Sequence, residues 1–402
     1  MENIKFEVVS KITKNMFKSQ NLNKISKFES ISPPSVFIGS KLRYPLVNIG
    51  ILSPLEKDEN AWIYDDCKYW AKENFSISDV IKLRSSLLNS RFQSKVQDVR
   101  LSNKFVDIAR DVAIASRPVD LEIELKNRIV GGQKNDRVLA PHGMSAGLKN
   151  ARVTSNIKID KKVDRVINDE IKAVEGISYL YKNNFDEYSL YKILSIGALG
   201  LKKDKRIVPT RWSITATDDM IAKELLKKTR DASLINDYKL FFGEFLGNQY
   251  LIMLFPGFWS FELFELYYPG SSWNPSDVMK ASTDYEGYYG RKTYASNCVG
   301  GYYATRFPIL EYLNSIKRQA GVLVIRLETP SYWAGLGVWV CRESIRKALN
   351  KKPLLFDSKE DFLKSTRKIG EIKYNFDPGY LFEQSKFLKE FGVQTSLLDF
   401  FN

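Results

Sequence analysis

The sequence predicts an α+β protein in which helices and strands are mixed irregularly. Apolar residues recur at helical spacing in some segments and at every second position in others. The two kinds of segment do not alternate as in a doubly wound sheet, and the chain has neither a Rossmann nor a P-loop glycine pattern. With 402 residues, 44% hydrophobic and 27% charged, the chain has ordinary globular composition and is long enough for two subdomains.

Shifts in composition predict the domain organisation. Residues 1–30 form a polar, lysine-rich N-terminal arm, and the body extends over 31–376 from the proline pair that follows this arm. The glycine-containing, loop-like segment 127–160 is the expected boundary if the body divides into two subdomains. The remaining residues, 377–402, form a tail that ends in apolar side chains.

The first half of the body is expected to mix helices with a strand. Helical spacing predicts one helix that begins at Ser78 and a second over 104–115. Strict alternation of apolar and charged residues predicts a strand over 121–125 with one face in water. An apolar stripe predicts a single long helix from Val163 to Leu180.

The second half begins with a helix from Thr217 or Asp218, followed by an aromatic, strand-like region with a hairpin turn at Gly247-Asn248. A long helix is expected after Gly300-Gly301, and the run Val322–Ile325 is typical of a buried strand. Two further helices are predicted over 342–350 and 359–366.

The charge balance favours polyanionic partners. Lysine and arginine number 61 against 47 acidic residues, which gives a net charge of +14. The three cysteines, Cys67, Cys298 and Cys341, are far apart and form no C-x-x-C pair, so a zinc ribbon is excluded. No secretory signal and no membrane span is evident, and we expect a cytoplasmic protein.

The end of the tail carries a specific short motif. Gln394, Leu397, Phe400 and Phe401 fill every constrained position of the Gln-x-x-Leu-x-x-aromatic-aromatic box that binds the PCNA sliding clamp. On one helical turn Leu397 and the two phenylalanines project from the same side and form an apolar plug, while the glutamine amide offers a donor and an acceptor. The sequence therefore predicts PCNA as a partner through helix-in-groove recognition.

Two loops in the first part of the body have the residues for phosphate or metal chemistry. Arg43, close to two glycines, suits either a phosphate-binding loop or a structural turn. Asp218 and Asp219 suit either Mg²⁺ ligation in a nuclease or the N-terminus of the helix predicted there, where their charge meets the positive end of the dipole. Arg211 and Trp212 combine a cation with a base-stacking surface.

A later segment interleaves tyrosines with basic residues and glycines, which is typical of proteins that stack on single-stranded or distorted nucleic acid. The same pattern also occurs at core edges with satisfied hydroxyls. Our candidates for nucleic-acid contact, ordered along the chain, are Trp212, Tyr288, Tyr289, Arg291, Tyr302 and Arg306.

An enzymatic site would draw on a different set, with Glu286 as a general acid or base. The catalytic candidates are Arg43, Arg211, Asp218, Asp219, Glu286 and Arg291. His142 is the single histidine, so a histidine-based triad or multi-histidine metal site is excluded. No cofactor is predicted, apart from Mg²⁺ in the case of a nuclease.

Three blocks of the body resemble the archaeal Nre family. They are Pro34-Ser35-Val36-Phe37-Ile38-Gly39 with the following Tyr44–Gly50, then Val208–Asp219, and finally Gly300–Ala304 with Arg318-Gln319-Ala320 downstream. With the C-terminal box, the resemblance covers the chain from about Ile31 to Asn402. It implies a role in DNA damage repair with PCNA as partner, but it supplies no catalytic mechanism. The N-terminal cysteine cluster of many family members is absent here, so no metal site is carried over.

Together these observations predict a DNA repair protein tethered to PCNA by its tail and contacting single-stranded or damaged DNA with its basic, aromatic-rich body. The alternative is a nuclease or nucleotide-modifying enzyme whose arginine and carboxylate candidates converge in one cleft.

Overall fold

The computed structural model describes residues 25–40, 43–131 and 136–392. Two compact units divide the chain. The first holds the chain up to Ile221 together with Trp333–Trp339, and the second holds Ala222–Tyr332 and the chain from Val340 onward. The segment 127–160, expected as a subdomain boundary, lies inside the first unit and contains a nine-residue strand.

The first unit is built on a six-stranded sheet with the strand order β1-β5-β6-β4-β3-β2. Neighbouring strands are antiparallel except β4 and β6, which run parallel. The strands are β1 (Lys27–Ser32), β2 (Val36–Ile38), β3 (Leu46–Ser53), β4 (Leu88–Lys95), β5 (Val119–Leu125) and β6 (Ser145–Val153). Buried and partly exposed residues alternate strictly along β5, as the sequence predicts for a strand with one wet face.

Seven helices accompany this sheet within the described part of the chain. They are α1 (Cys67–Lys72), α2 (Ile77–Ser85), α3 (Lys104–Ile114), α4 (Lys161–Asn168), α5 (Ala173–Lys182), α6 (Glu187–Ser195) and α7 (Thr210–Arg230), the last of which continues into the second unit. Helix α2 begins one residue before the predicted Ser78, because Ser76 and Asp79 form a reciprocal capping box that satisfies two free N–H groups.

The second unit contains a six-stranded sheet with the strand order β11-β10-β13-β9-β8-β14 and a small parallel pair of β12 with β7. Its strands are β7 (Ser233–Leu234), β8 (Tyr238–Phe245), β9 (Asn248–Phe255), β10 (Ser260–Tyr267), β11 (Lys280–Glu286), β12 (Arg318–Gln319), β13 (Gly321–Glu328) and β14 (Leu354–Phe356). Its remaining helices are α8 (Val299–Ser315), α9 (Trp339–Leu349, of which the first residue belongs to the first unit), α10 (Lys359–Tyr374), α11 (Gly379–Gln384) and α12 (Lys386–Glu390).

One face of the second sheet forms the apolar core of its unit. Met253, Phe264 and Ile325 represent the three central strands on this face, and helices α10, α11 and α12 cover them with Phe362, Leu381 and Phe387. Burying an aromatic side chain of this size is worth about 2–3 kcal/mol, so the short helices at the end of the described chain are anchored by their apolar residues. The first part of the predicted tail is therefore a packed element of the second unit.

The α+β class is confirmed, and so are the β8–β9 hairpin and the buried strand β13. The hairpin turn has Leu246 and Gly247 at φ values of +51° and +72°, which is the geometry that glycine favours. The later predicted helices correspond to α9 and to α10, which continues to Tyr374.

Three predictions of local structure were wrong. The stripe from Val163 to Leu180 is divided between α4 and α5, because the backbone becomes extended at Asp169 while apolar residues continue to face the core. Helix α7 begins at Thr210, two turns before the predicted start. Gly300 and Gly301 lie inside α8 instead of preceding it. A Cβ at Gly301 would lie 2.3 Å from Oε1 of Glu265, so this glycine permits close approach of the helix to the sheet.

Candidate nucleic-acid interface

Two exposed aromatic rings of the second unit are linked by a third, half-buried ring that contacts both of them. Phe258 is 68% exposed and Tyr289 is 83% exposed, while Tyr288 lies between them. The ring centroids of Phe258 and Tyr288 are 5.9 Å apart and those of Tyr288 and Tyr289 are 5.2 Å apart, both in edge-to-face geometry. Large exposed aromatics in contact cost free energy in water and indicate a binding surface.

The guanidinium of Arg230 joins this cluster. It lies 5.4 Å from the ring centroid of Tyr288 and 5.9 Å from that of Tyr289, within the range of cation–π attraction. Arg230 is the last residue of α7, and Gln319 fixes this helix end by donating from Nε2 to the Arg230 carbonyl oxygen at 3.0 Å. We call the surface formed by Arg230, Phe258, Tyr288 and Tyr289 the aromatic platform.

A tight turn presents the two tyrosines of the platform. Gly290 donates from its backbone N–H to the carbonyl oxygen of Gly287 at 2.9 Å, so Tyr288 and Tyr289 occupy the two central positions of a β-turn. Gly290 has a φ of +76°, which an L-residue with a side chain rarely adopts. The glycines that flank the tyrosines in the sequence therefore have a direct role in exposing them.

Glu286, the residue that directly precedes this turn, belongs to a buried ion pair. Arg306 donates from Nε to Oε1 of Glu286 at 2.6 Å, and both side chains are 1% exposed. Trp259 donates from Nε1 to the same carboxylate oxygen at 3.0 Å. Burial, together with the charge of Glu286, raises the pKa of Tyr302 well above its ordinary value, so this phenol stays neutral. Glu286 acts here as a structural anion, and Tyr302 and Arg306 lie too deep to contact a base.

Arg291 also stabilises the turn. It forms an ion pair with Asp284 at 3.0 Å and donates to the carbonyl oxygens of Tyr285 and Tyr294 at 2.9 and 3.1 Å. Its guanidinium lies 5.4 Å from the ring centroid of Tyr302. All of the predicted nucleic-acid contacts except Trp212 are therefore brought together in the second unit, but they divide into an outer layer and a supporting layer.

The remaining predicted residues belong to the first unit. Arg211 forms an ion pair with Asp136 at 2.7 Å, and the neighbouring Trp212 is 57% exposed. Arg43 is exposed in the loop before β3. The six catalytic candidates are thus divided, four in the first unit and two in the second, and neither unit contains all of them.

The helix-capping interpretation of Asp218 and Asp219 was wrong. Both residues lie within α7, two turns after its first residue, so no free N–H groups are there for them to accept from. Adjacent residues on a helix also do not face each other, so this pair by itself does not form a two-carboxylate clamp for Mg²⁺. Within residues 25–40, 43–131 and 136–392, no group of three or more His, Cys, Asp or Glu side chains is spaced to hold a metal ion.

A second buried ionic cluster was missed by the sequence analysis. On the other face of the central strands, Arg326 donates to Oε1 of Glu265 at 2.5 Å, to Oδ1 of Asn248 at 2.6 Å and to Oε2 of Glu328 at 3.1 Å. Burial raises the pKa of Glu328 to about 7, against the opposing charge of Arg326. We call Asn248, Glu265, Arg326 and Glu328 the buried polar row.

The row could not be seen from the sequence because its members come from three strands. Glu265 lies opposite Arg326 in the parallel pairing of β10 with β13, and Asn248 lies opposite Glu328 in the antiparallel pairing of β9 with β13. The signal that was available is the presence of charged residues in otherwise apolar strands, which requires buried partners. Phe258 and Arg230 of the platform were missed for a similar reason, since they lie in different elements from the tyrosine segment.

Comparison with models of protein families shows which family the chain belongs to. The model of the N-terminal part of archaeal Nre proteins matches residues 3–274, and the model of the C-terminal part matches residues 286–400. The chain belongs to the archaeal Nre family. Its Nre relatives include a protein from Haloferax volcanii named DNA repair protein NreA, 42% identical over 321 residues that make up 78% of this chain and 76% of the relative.

Two further Nre relatives come from Archaeoglobus fulgidus. DNA repair protein NreA is 39% identical, covering 85% of this chain and 85% of the relative. DNA repair protein NreB is 35% identical, covering 92% of this chain and 90% of the relative. No solved structure gives a significant match to the chain.

The two Nre family models meet inside the second unit. Strands β8, β9 and β10 belong to the N-terminal match, whereas β13 and β14 belong to the C-terminal match. Since β13 lies between β10 and β9, the C-terminal Nre segment completes a sheet that the N-terminal segment begins. In the described part of this Nre chain, no helix is both long enough and apolar enough to span a bilayer.

Proposed function

We propose that this Nre protein acts in DNA repair and binds single-stranded or distorted DNA through the aromatic platform. The relatives named as DNA repair proteins and the net charge of +14 both support this function. The observation that carries it is the cation–π contact of Arg230 with Tyr288 and Tyr289 beside the exposed ring of Phe258. Every base has a π-face, so such a surface binds unpaired bases with little sequence preference.

Cations near the platform suit a phosphate backbone. Lys227 and Lys228 precede Arg230 in the last turn of α7, and both are exposed. Backbone contacts of this kind release counterions, so affinity should fall steeply as salt concentration rises. Paired bases in regular duplex DNA do not expose their faces, and we therefore expect single-stranded DNA to bind more tightly than intact duplex at the same ionic strength.

Binding to a fluorescent single-stranded oligonucleotide, measured by anisotropy at fixed salt, tests this function. Alanine substitution of a stacking aromatic should cost about 1–3 kcal/mol, so Tyr289→Ala should weaken binding by about fivefold or more. Tyr380→Ala is the matched control, because Tyr380 is also an exposed tyrosine of the second unit and lies outside the platform. Equal loss in both variants, or no loss in Tyr289→Ala, would contradict the proposal.

We further propose that the C-terminal box tethers this protein to PCNA. Gln394, Leu397, Phe400 and Phe401 lie outside the described residues, so the support is the sequence match alone. Phe387 is buried in the second unit seven residues before the box begins. A short connection of this kind gives a high effective concentration of the body near clamp-bound DNA, on the order of millimolar.

Calorimetric titration of full-length protein into PCNA tests the tether. The double substitution Phe400→Ala and Phe401→Ala removes the two largest apolar groups of the box, and we expect binding to fall below detection. Its control is Leu354→Ala with Leu355→Ala, which truncates two exposed apolar residues at the edge of the second sheet. Retention of PCNA binding by the tail variant would exclude the box as the contact.

The enzymatic alternative receives no comparable support from the geometry. Glu286 already accepts hydrogen bonds from Arg306 and Trp259, and Arg211 already forms an ion pair with Asp136. Incubation of the protein with single-stranded, nicked and mismatched DNA in the presence of Mg²⁺, followed by gel analysis of the products, tests this alternative directly. Cleavage that Glu286→Gln abolishes would restore it.

A further inference from the structure

The first unit contains a cavity of about 310 Å³ that the proposed function does not use. Its walls come from the Pro33-Pro34 loop, the C-terminal end of α3 and the N-terminal ends of α1, α4 and α6. This volume lies at the lower end of the range for small-molecule sites. We call it the Lys192 pocket, after the buried lysine that lines it.

Charged groups lie deep in this pocket. Nζ of Lys192 is 2.7 Å from Oδ2 of Asp65, and the two side chains are 9% and 6% exposed. Arg84 forms an ion pair with the other oxygen of Asp65. Burial raises the pKa of Asp65, but the charges of Lys192 and Arg84 outweigh burial and hold it below its ordinary value. The carboxylate is therefore ionised, and it has two cationic partners.

Lys192 has unused hydrogen-bonding capacity. A lysine ammonium has three N–H donors, and the only side-chain partner of Lys192 among the described residues is Asp65. A ligand that places a carbonyl oxygen against this ammonium would satisfy it.

The rim of the pocket provides acceptors. Asp66, Asp160 and Asp186 cap the N-termini of α1, α4 and α6, each accepting one backbone N–H at 2.8–2.9 Å through Oδ1. In the described chain, the Oδ2 atoms of these three residues accept no hydrogen bond. These carboxylates favour a ligand that carries N–H donors.

Flat apolar surfaces complete the pocket. Trp62, Pro33 and Pro34 line it, and Trp62 is held in edge-to-face contact with Tyr69 at a centroid distance of 4.9 Å. An indole and proline rings offer stacking surfaces for a planar ligand. The site therefore combines a buried cation, carboxylate acceptors and an aromatic wall.

We propose that the Lys192 pocket binds a nucleobase that has a carbonyl oxygen next to ring N–H donors, as guanine, uracil and thymine do. The carbonyl oxygen accepts from Lys192, the N–H edge donates to a rim carboxylate such as Asp186, and the ring packs against Trp62. The base is supplied either by a free nucleoside or by a nucleotide extruded from DNA, as in enzymes and repair proteins that read flipped bases.

Calorimetry and thermal-shift assays with free guanosine, uridine, thymidine and adenosine test the pocket without DNA. We expect the first three to bind and adenosine, which has no carbonyl oxygen, to bind at least tenfold more weakly. Lys192→Met should lower guanosine affinity about tenfold or more, because it removes a charged donor. Equal affinity for adenosine and guanosine, or binding of no nucleoside at all, would overturn the proposal.

Asp186→Asn provides a second variant that should fold, since asparagine is an equally good helix N-cap. It removes the rim charge, and we expect a similar loss of guanosine affinity. Asp169→Asn is the matched control, because Asp169 follows the other end of α4 and forms an exposed ion pair with Arg165. Unchanged guanosine binding in Asp186→Asn would contradict the assigned role of the rim.

Oligonucleotides distinguish the two sources of the base. If extruded bases enter the pocket, a duplex with one unpaired guanine should raise the melting temperature of Asp186→Asn less than that of the wild-type protein. If only free nucleosides are bound, the variant and the wild type should bind this duplex equally. Tyr289→Ala should leave guanosine binding unchanged, so failure of the platform and failure of the pocket are measured separately.

Discussion

Two strands with nearly the same pattern have opposite environments. Strand β5, with the sequence Val-Asp-Leu-Glu-Ile-Glu-Leu, places Glu122 and Glu124 at a partly exposed face, where they meet the exposed amines of Lys27 and Lys149. Strand β10, with the sequence Ser-Phe-Glu-Leu-Phe-Glu-Leu-Tyr, buries Glu262 and Glu265 on both faces of the second sheet. Alternation therefore predicts the strand, and it does not predict whether its charged residues are in water.

The two sheets differ in how much their charged residues contribute to stability. An exposed ion pair contributes at most about 1 kcal/mol, because water and salt screen it. A buried charge is tolerated only with partners in good geometry, and removal of one partner leaves the other uncompensated. We therefore expect the glutamates of β10 and their partners to determine the stability of the second unit, while those of β5 have little effect.

Arg326→Met should give the largest effect. It leaves Glu265 and Glu328 buried without their cation, and the expected loss is about 3–5 kcal/mol in the free energy of unfolding. Chemical denaturation followed by tryptophan fluorescence measures this loss. A change below about 1 kcal/mol would mean that the buried polar row behaves like the surface pairs of β5.

Glu262→Gln should give the next largest effect. The carboxylate of Glu262 accepts from Oγ of Ser385 at 2.5 Å and from the backbone N–H groups of Lys386 and Phe387 at 3.1 and 3.0 Å. Removal of its charge weakens the start of α12, at an expected cost of about 2 kcal/mol. Hydrogen exchange should become faster in α12, and unaltered exchange there would contradict this role.

The pH dependence of Glu328 tests the buried polar row without replacing its arginine. Its pKa in the folded protein is about 7, above the ordinary value of 4.5, so the folded state holds a proton that the unfolded state releases. Stability contributed by this group is therefore full below about pH 4.5 and is lost as the pH rises to about 7. Glu328→Gln should become more stable relative to wild type over this range, as measured by denaturation at several pH values. A constant difference would contradict the raised pKa.

Glu124→Gln should give the smallest effect. Its carboxylate pairs with Lys149 at 2.6 Å, but the lysine side chain is well exposed. We expect a loss below about 1 kcal/mol that disappears at high salt. A loss as large as that of Glu262→Gln would mean that exposure does not distinguish the two strands.

The sequence was sufficient for elements whose signals are local. Helix α2 was predicted because the helical spacing of its residues lies within one short segment, and the β8–β9 hairpin because its turn glycine lies between its two strands. The start of α7 at Thr210 was missed because its first turn contains no acidic residue to mark the N-terminus. The division between α4 and α5 was missed because the apolar spacing continues across the break.

The candidate sites depend on contacts that the sequence does not encode locally. Tyr288 and Tyr289 were predicted as nucleic-acid contacts, and this stays a prediction, but their partner Arg230 lies at the end of a distant helix. Arg306 looked like a surface cation because its counterion, Glu286, lies in another element. Lys192 and Asp65 gave no signal, since a buried lysine cannot be distinguished from an exposed one without its environment.

The strand order of the second sheet has a consequence for synthesis on the ribosome. Strands β9 and β10 are translated before β13, which fills the place between them about sixty residues later. Until then β9 and β10 of the nascent chain have unpaired inner edges, which are templates for aggregation. We expect the emerging protein to depend on chaperones over this interval, and the unit to close when the late strand is inserted.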